Sequence, residues 1–186
     1  MTIEESLADA TDKMEKAIGH LKEDLSGIRT GRATAAVLNR VTVEYYGTLV
    51  PLNQLASITV PEPRLLAVSP FDKGSVSAIE KAIQSSDLGI NPSNDGRLIR
   101  LPIPLLTEQR RRDLVKQVHQ RAEEARVAVR NVRRHAVDEL RKQLRAGEVA
   151  EDDERHAQEE IEKMTHTHTE RIDELSRKKE QELMDV

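Results

Sequence analysis

All seven prolines of this 186-residue chain fall between Pro51 and Pro104. An interior proline removes a helical hydrogen bond and clashes with the turn before it, so long helices belong to the two flanks, residues 1–50 and 105–186. The three aromatic residues, Tyr45, Tyr46 and Phe71, lie in or beside the proline-bearing middle. With 33% of residues charged and so few aromatics, the flanks read as long solvated helices and the middle as a small mixed domain.

The first flank carries Ile3, Leu7, Ala10, Met14, Ile18, Leu21, Leu25 and Ile28 at alternating steps of four and three, the seam of a helix packed lengthwise on partners. Gly31 is its expected stop. A second helix starts at Thr107, a good N-cap followed by Glu108. Its seam is Leu114, Val118, Ala122, Ala125, Val129, Val132, Ala136, Leu140 and Leu144, ending before Gly147. That is roughly 40 residues, or about 60 Å. A third helix begins near Glu151, with Ala157, Ile161, Met164, His168, Ile172, Leu175, Leu183 and Val186 on its apolar side. The short turn at 146–149 makes the last two helices antiparallel, and a single stripe cannot bury itself. The first helix therefore supplies a third wall. The expected fold is α+β: a three-helix bundle from residues 1–30 and 107–186, with residues 31–106 inserted as a small α+β domain.

Within the insert, Val41, Val43 and Tyr45 alternate with polar positions before Gly47, a half-buried strand entering a turn. Further strands are expected at 55–60, 65–69 and 98–101, and a short helix at 75–85 with Val76, Ile79 and Ile83 buried. Residues 91–96, Asn-Pro-Ser-Asn-Asp-Gly, are a dense turn signal. The two connections, Thr30-Gly31-Arg32 and Pro102-Ile103-Pro104, are short and read as a two-stranded hinge.

Several functions are argued against. The chain has no cysteine, so it can hold no disulfide framework, thiolate nucleophile or Cys-ligated metal, which fits a reducing compartment. Four acids within residues 1–12 leave no apolar leader or membrane span, and the expectation is a soluble, cytoplasmic protein. There is no G-x-S-x-G, P-loop, G-x-G-x-x-G or H-E-x-x-H sequence. His166 and His168, two apart on a helix, point about 200° apart; one belongs on the seam and the other at the surface, and together they chelate nothing. No catalytic residue, metal or cofactor is expected.

The net charge of −4 conceals a strong asymmetry. Residues 107–147 hold 12 Lys plus Arg against 6 Asp plus Glu, whereas residues 148–186 hold 6 against 14. Part of this is compensation between neighbouring helices. Yet Arg112, Lys116, His119, Arg126, Arg130 and Arg133 recur at helical steps as a stripe beside the apolar seam, widened by Arg134 and Arg141. Such a ladder can meet successive phosphates through guanidinium forks. Without aromatics to stack on unpaired bases, it suits a structured RNA recognised by backbone and shape, not DNA.

Six blocks then carry a resemblance. They are Ile28-Arg29-Thr30-Gly31-Arg32-Ala33, Val43-Glu44-Tyr45-Tyr46-Gly47, Gln54-Leu55-Ala56-Ser57, Ser86-Asp87-Leu88-Gly89-Ile90-Asn91-Pro92, Leu106-Thr107-Glu108-Gln109-Arg110-Arg111 and Val129-Arg130-Asn131-Val132-Arg133-Arg134. In this order they resemble the bacterial ribosome recycling factor family over essentially the whole chain; Gln109 departs from the family's usual Glu. The resemblance implies an L-shaped monomer whose long arm is the bundle and whose short arm is a β/α/β domain on a flexible elbow. It also implies a translation factor that, with elongation factor G and GTP, splits the post-termination ribosome and frees mRNA and tRNA, hydrolysing nothing itself. The bundle is then expected on large-subunit rRNA near the intersubunit bridges, through Arg110, Arg126, Arg130, Arg133 and Arg134, with Arg133 foremost. Elongation factor G is expected to push the short arm about Thr30, Gly31, Arg32, Pro102 and Pro104. For any one arginine the competing reading is an ion pair with a glutamate of the last helix. Two rival functions, a helical adaptor or chaperone and an enzyme of the small domain, lack respectively an apolar groove and any histidine in that domain.

Overall fold

A computed structural model describes residues 1–185. It divides into two compact units, Met1–Arg29 with Thr107–Asp185, and Thr30–Leu106.

The first unit is built from three helices, α1 (Ile3–Ser26), α4 (Glu108–Arg145) and α5 (Glu151–Met184), each packed on the other two. Thr2 starts α1 with a capping box: its hydroxyl accepts from the Glu5 N–H at 3.1 Å while the Glu5 carboxylate accepts from the Thr2 N–H at 2.8 Å. Thr107 caps α4 by accepting from the Arg110 N–H. The seams meet along the axis: Met14, Ile18 and Leu21 of α1, Val118, Val129 and Leu140 of α4, and Ile161 and Ile172 of α5 are fully buried. Ala10 of α1 lies in one cluster with Leu140 of α4 and Ile161 of α5. Both α1 and α5 therefore run antiparallel to α4.

The seams depart from the sequence reading in places. Helix α1 ends at Ser26, not at Gly31. Gly27 keeps a right-handed φ of −74° and its N–H still reaches Glu23 O, but the Ile28 N–H turns to Leu25 O, three residues back. That tighter turn closes the helix, and Ile28 is buried from outside it. Val132, Leu144, Met164 and Leu175 are only half-buried, while Gln143, Thr165 and Ser176 take buried places beside them. Gln143 sits there because its Nε2 donates to the Met1 carbonyl at 2.8 Å. Val186, expected on the apolar side of α5, lies outside the described residues.

In the second unit, strands β3 (Ala56–Glu62), β4 (Leu65–Pro70), β5 (Ser93–Asn94) and β6 (Ile99–Pro102) form an antiparallel sheet in the order β3-β4-β6-β5. The strand expected at 41–46 is β1 (Thr42–Tyr45), and it pairs with a strand the sequence reading lacks, β2 (Thr48–Pro51). Tyr46 (φ +50°) and Gly47 (φ +76°) join them, the two positive angles of a type I′ hairpin turn. One helical turn, α2 (Leu52–Leu55), follows, and α3 (Val76–Gln84) buries Val76, Ile79 and Ile83 as expected. Those side chains share a core with Leu38, Val43, Leu66, Val68, Ile99 and Leu101.

Candidate nucleic-acid interface

Helix α4 is the longest element at 38 residues, about 57 Å of rigid axis. The stripe lies along one side of its seam, and the contacts identify which neighbour that side adjoins. His119 pairs with Glu180 (3.0 Å), Arg126 with Asp173 (2.7 Å) and Arg133 with Glu162 (3.9 Å). Numbers rise on α4 as they fall on α5, so the stripe flanks the α4–α5 junction. The compensation implied by the opposite charges of the two helices is thus partly realised, and Arg133 has the glutamate partner its competing reading required.

The five expected contact residues do not form one patch. Arg130, Arg133 and Arg134 lie within two turns of one another. Arg110 is about 30 Å further along the axis from Arg130 and turned about 140° from Arg133. Arg110 and Arg134 are exposed, and among the described residues neither makes an ion pair. Arg130 and Arg133 are half-exposed and paired only through Nη1. Arg126 differs: its side chain is 24% exposed. Its Nε and Nη2 both donate to Asp173 Oδ1, at 2.9 and 2.7 Å, and its Nη1 donates to Glu123 Oε2 at 3.1 Å. Burial works against its charge, but those two carboxylates outweigh burial and raise its pKa further. All three of its nitrogens are engaged, which leaves only the second N–H of Nη1 and of Nη2 for a further acceptor.

Of the two histidines, His168 is buried, its ring nitrogens 2.7 Å from Met164 O and 3.0 Å from Glu15 Oε1, while His166 is exposed beside Glu170. Among the described residues no group of three or more His, Asp or Glu is placed to hold a metal ion, and no helix is long and apolar enough to cross a membrane. The large exposed apolar residues of the bundle are Met1, Val127 and Met184; Met1 lines one surface depression with Val132 and Ala136, and Met184 lines a separate one with Val115 and Arg112.

The expected hinge residues are unequally placed. Gly31 has φ +79°. Pro102 pairs with Leu65 at the end of β6 and so belongs to the sheet, and just beyond it the Ile103 N–H donates to Arg64 O at 2.8 Å. Pro104 follows that bond.

Sequence reasoning missed Glu123 and Asp173. Glu123 could have been found, because it precedes Arg126 by three residues and Arg130 by seven, on one helical face. Asp173 is 47 residues from Arg126, and no local spacing points to it.

Comparison with known proteins follows the same lines. Residues 21–184 match the family model described as ribosome recycling factor. A ribosome-recycling factor of Acidothermus cellulolyticus is 54% identical over 184 residues, covering 99% of this chain and all of the relative. A solution structure of the ribosome recycling factor superposes with a TM-score of 0.75 at 40% identity, covering 100% of this chain and 99% of the other. A further structure gives a TM-score of 0.63 at 49% identity, covering 98% and 99%. It represents the Thermus thermophilus ribosome recycling factor and the Escherichia coli elongation factor G bound to the E. coli post-termination complex.

Proposed function

The chain belongs to the ribosome recycling factor family, and from that premise we propose how its parts do the work. It binds the post-termination ribosome and, with elongation factor G and GTP, splits it into subunits so that mRNA and tRNA leave. It acts in the cytoplasm as a monomer and hydrolyses nothing itself. Its bundle is the rRNA-binding arm. Arg130, Arg133 and Arg134 meet large-subunit rRNA near the intersubunit bridges, and Arg110 makes a separate contact about six turns away. The second unit is the part on which elongation factor G acts, about a hinge at Thr30, Gly31, Arg32 and Pro104, with Pro102 as its edge in the sheet.

The observation that carries this reading is the row of partly free guanidiniums on α4, a helix too stiff to bend away from a flat partner. Neutralising phosphates releases their counterions, so affinity must fall steeply with salt. Co-sedimentation with intact ribosomes and with isolated large subunits, across a salt series, tests it. Binding to both that weakens as salt rises is expected. Absence of the protein from the large-subunit pellet, or an affinity flat in salt, overturns the rRNA contact. The adaptor reading predicts no binding to either particle.

A further inference from the structure

The network around Arg126 leads outward, from the α4–α5 junction to the exposed edge of the stripe. Asp173 takes the Nε and Nη2 edge of Arg126, which turns Nη1 toward Glu123 Oε2 at 3.1 Å. The other oxygen of Glu123, Oε1, accepts from Arg130 Nη1 at 3.3 Å. Four side chains thus form one line, Asp173, Arg126, Glu123, Arg130, rooted at the half-buried Arg126 and ending at a half-exposed guanidinium.

We propose that Glu123 is a positioning residue for RNA binding, holding Arg130 in the orientation in which it meets a phosphate. The inference rests on the reading that Arg130 contacts rRNA. A free arginine side chain loses much rotamer freedom when it is fixed on a partner, and one that is already fixed loses less. Glu123 uses only Nη1 of Arg130. No other described residue takes its Nε and Nη2, the edge that grips a phosphate through two parallel hydrogen bonds. Arg126, held by both carboxylates, is the anchor of this arrangement. A carboxylate on an RNA-facing surface repels phosphate, so simple electrostatics and positioning predict opposite signs when it is removed.

That opposition sets the experiment. Large-subunit affinity is measured for the full chain, for Glu123→Ala, for Arg130→Ala and for the double variant, with a thermal melt of each. Glu123→Gln serves as the milder change, since its one amide oxygen can hold only one of the two arginines. Arg130→Ala should weaken binding. Glu123→Ala should also weaken it, by about two- to five-fold, the scale of a partly exposed ion pair, despite the loss of a negative charge. Glu123→Gln should fall between, and the double variant should bind no worse than Arg130→Ala alone. Equal or tighter binding by Glu123→Ala, while Arg130→Ala is impaired, overturns the positioning role. Additive losses in the double variant overturn it as well, because Glu123 would then act independently of Arg130. Unchanged binding by Arg130→Ala removes the RNA contact at that residue and the inference with it. The melts separate these results from unfolding, since a purely structural role would lower stability in both backgrounds without the coupling in affinity.

Discussion

Arg133 is the residue at which contact and stability pull apart most cleanly. Its Nη1 lies 3.9 Å from Glu162 Oε1, with the two side chains 38% and 62% exposed, and a pair so solvated contributes about 0–1 kcal/mol. Arg133→Ala should therefore barely move the melting temperature while it lowers large-subunit affinity. Unchanged binding with reduced stability would assign the arginine to the bundle instead. Glu15 behaves in the opposite way, as a residue of the fold alone. A hydrogen bond from Arg171 holds its carboxyl below the ordinary value of 4.5; burial opposes this, and His168 adds to it. Because the folded state favours the carboxylate, the stabilisation is complete above about pH 4.5 and is lost as pH falls through the lowered folded value. Thermal melts of the parent chain and Glu15→Gln should differ near neutrality and converge in acid. A gap that stays constant to about pH 3 would show that the carboxylate's charge is not what stabilises the fold. Neither Arg133–Glu162 nor Glu15–His168 is visible as a pair in the sequence. Arg133 and Glu162 stand on successive antiparallel helices and Glu15 and His168 on helices at opposite ends of the chain, and periodicity locates faces, not partners.

The helical elements were legible because burial, caps and spacing agree. Thr107 at the start of α4 and the turn after α5's predecessor both follow from local chemistry. At that turn Gly147 has φ +72°, its N–H donates to Leu144 O, and the Glu148 N–H donates to Gln143 O, each at 3.0 Å. This pair of bonds is the Schellman arrangement that ends a helix. A Cβ at Gly147 would meet nothing within 4 Å, so Gly147→Ala should cost only the left-handed backbone strain, about 1–2 kcal/mol. Gly147→Asn should cost less, since Asn tolerates that region. Chemical denaturation reads both; an unaffected midpoint in Gly147→Ala would mean that the turn adopts another conformation. The first helix shows the limit of such reasoning. Gly27 and Gly31 both stand near its end, and the apolar seam runs on to Ile28, so spacing alone favoured the later glycine. Only the Ile28-to-Leu25 bond marks where the helix closes. Strand β2 was missed for a related reason. A hairpin of this type is usually signalled by Asn-Gly or Asp-Gly, and here Tyr46 holds the first left-handed position, its ring edge-on to Tyr45 at 4.5 Å.

At the scale of the molecule, the bundle proposed to bind RNA is itself net acidic, because α5 and its approach carry 14 acids against 6 bases. Binding must then depend on which face is presented, and neutralising the whole bundle is no substitute for arranging one side of α4. The same reasoning fixes what a linker variant can change. Gly31 has φ +79°, a conformation proline cannot adopt, since its ring holds φ near −65°. Gly31→Pro thus forces the Thr30-to-Arg32 connection into a different and stiffer path, while Arg130, Arg133 and Arg134 lie some 20 residues or more into α4, about 30 Å from its start. Large-subunit binding should be retained, and polysome breakdown with elongation factor G and GTP should slow. The milder Gly31→Ala, which keeps the two soft dihedrals but strains the left-handed one, should fall between. If Gly31→Pro breaks down polysomes at the parent rate, the connection carries no mechanical role and the push must reach the bundle by another route. If it loses large-subunit binding as well, the linker is part of the binding surface. Only retained binding with slowed breakdown supports a joint through which force on the second unit is passed to a bundle already seated on rRNA.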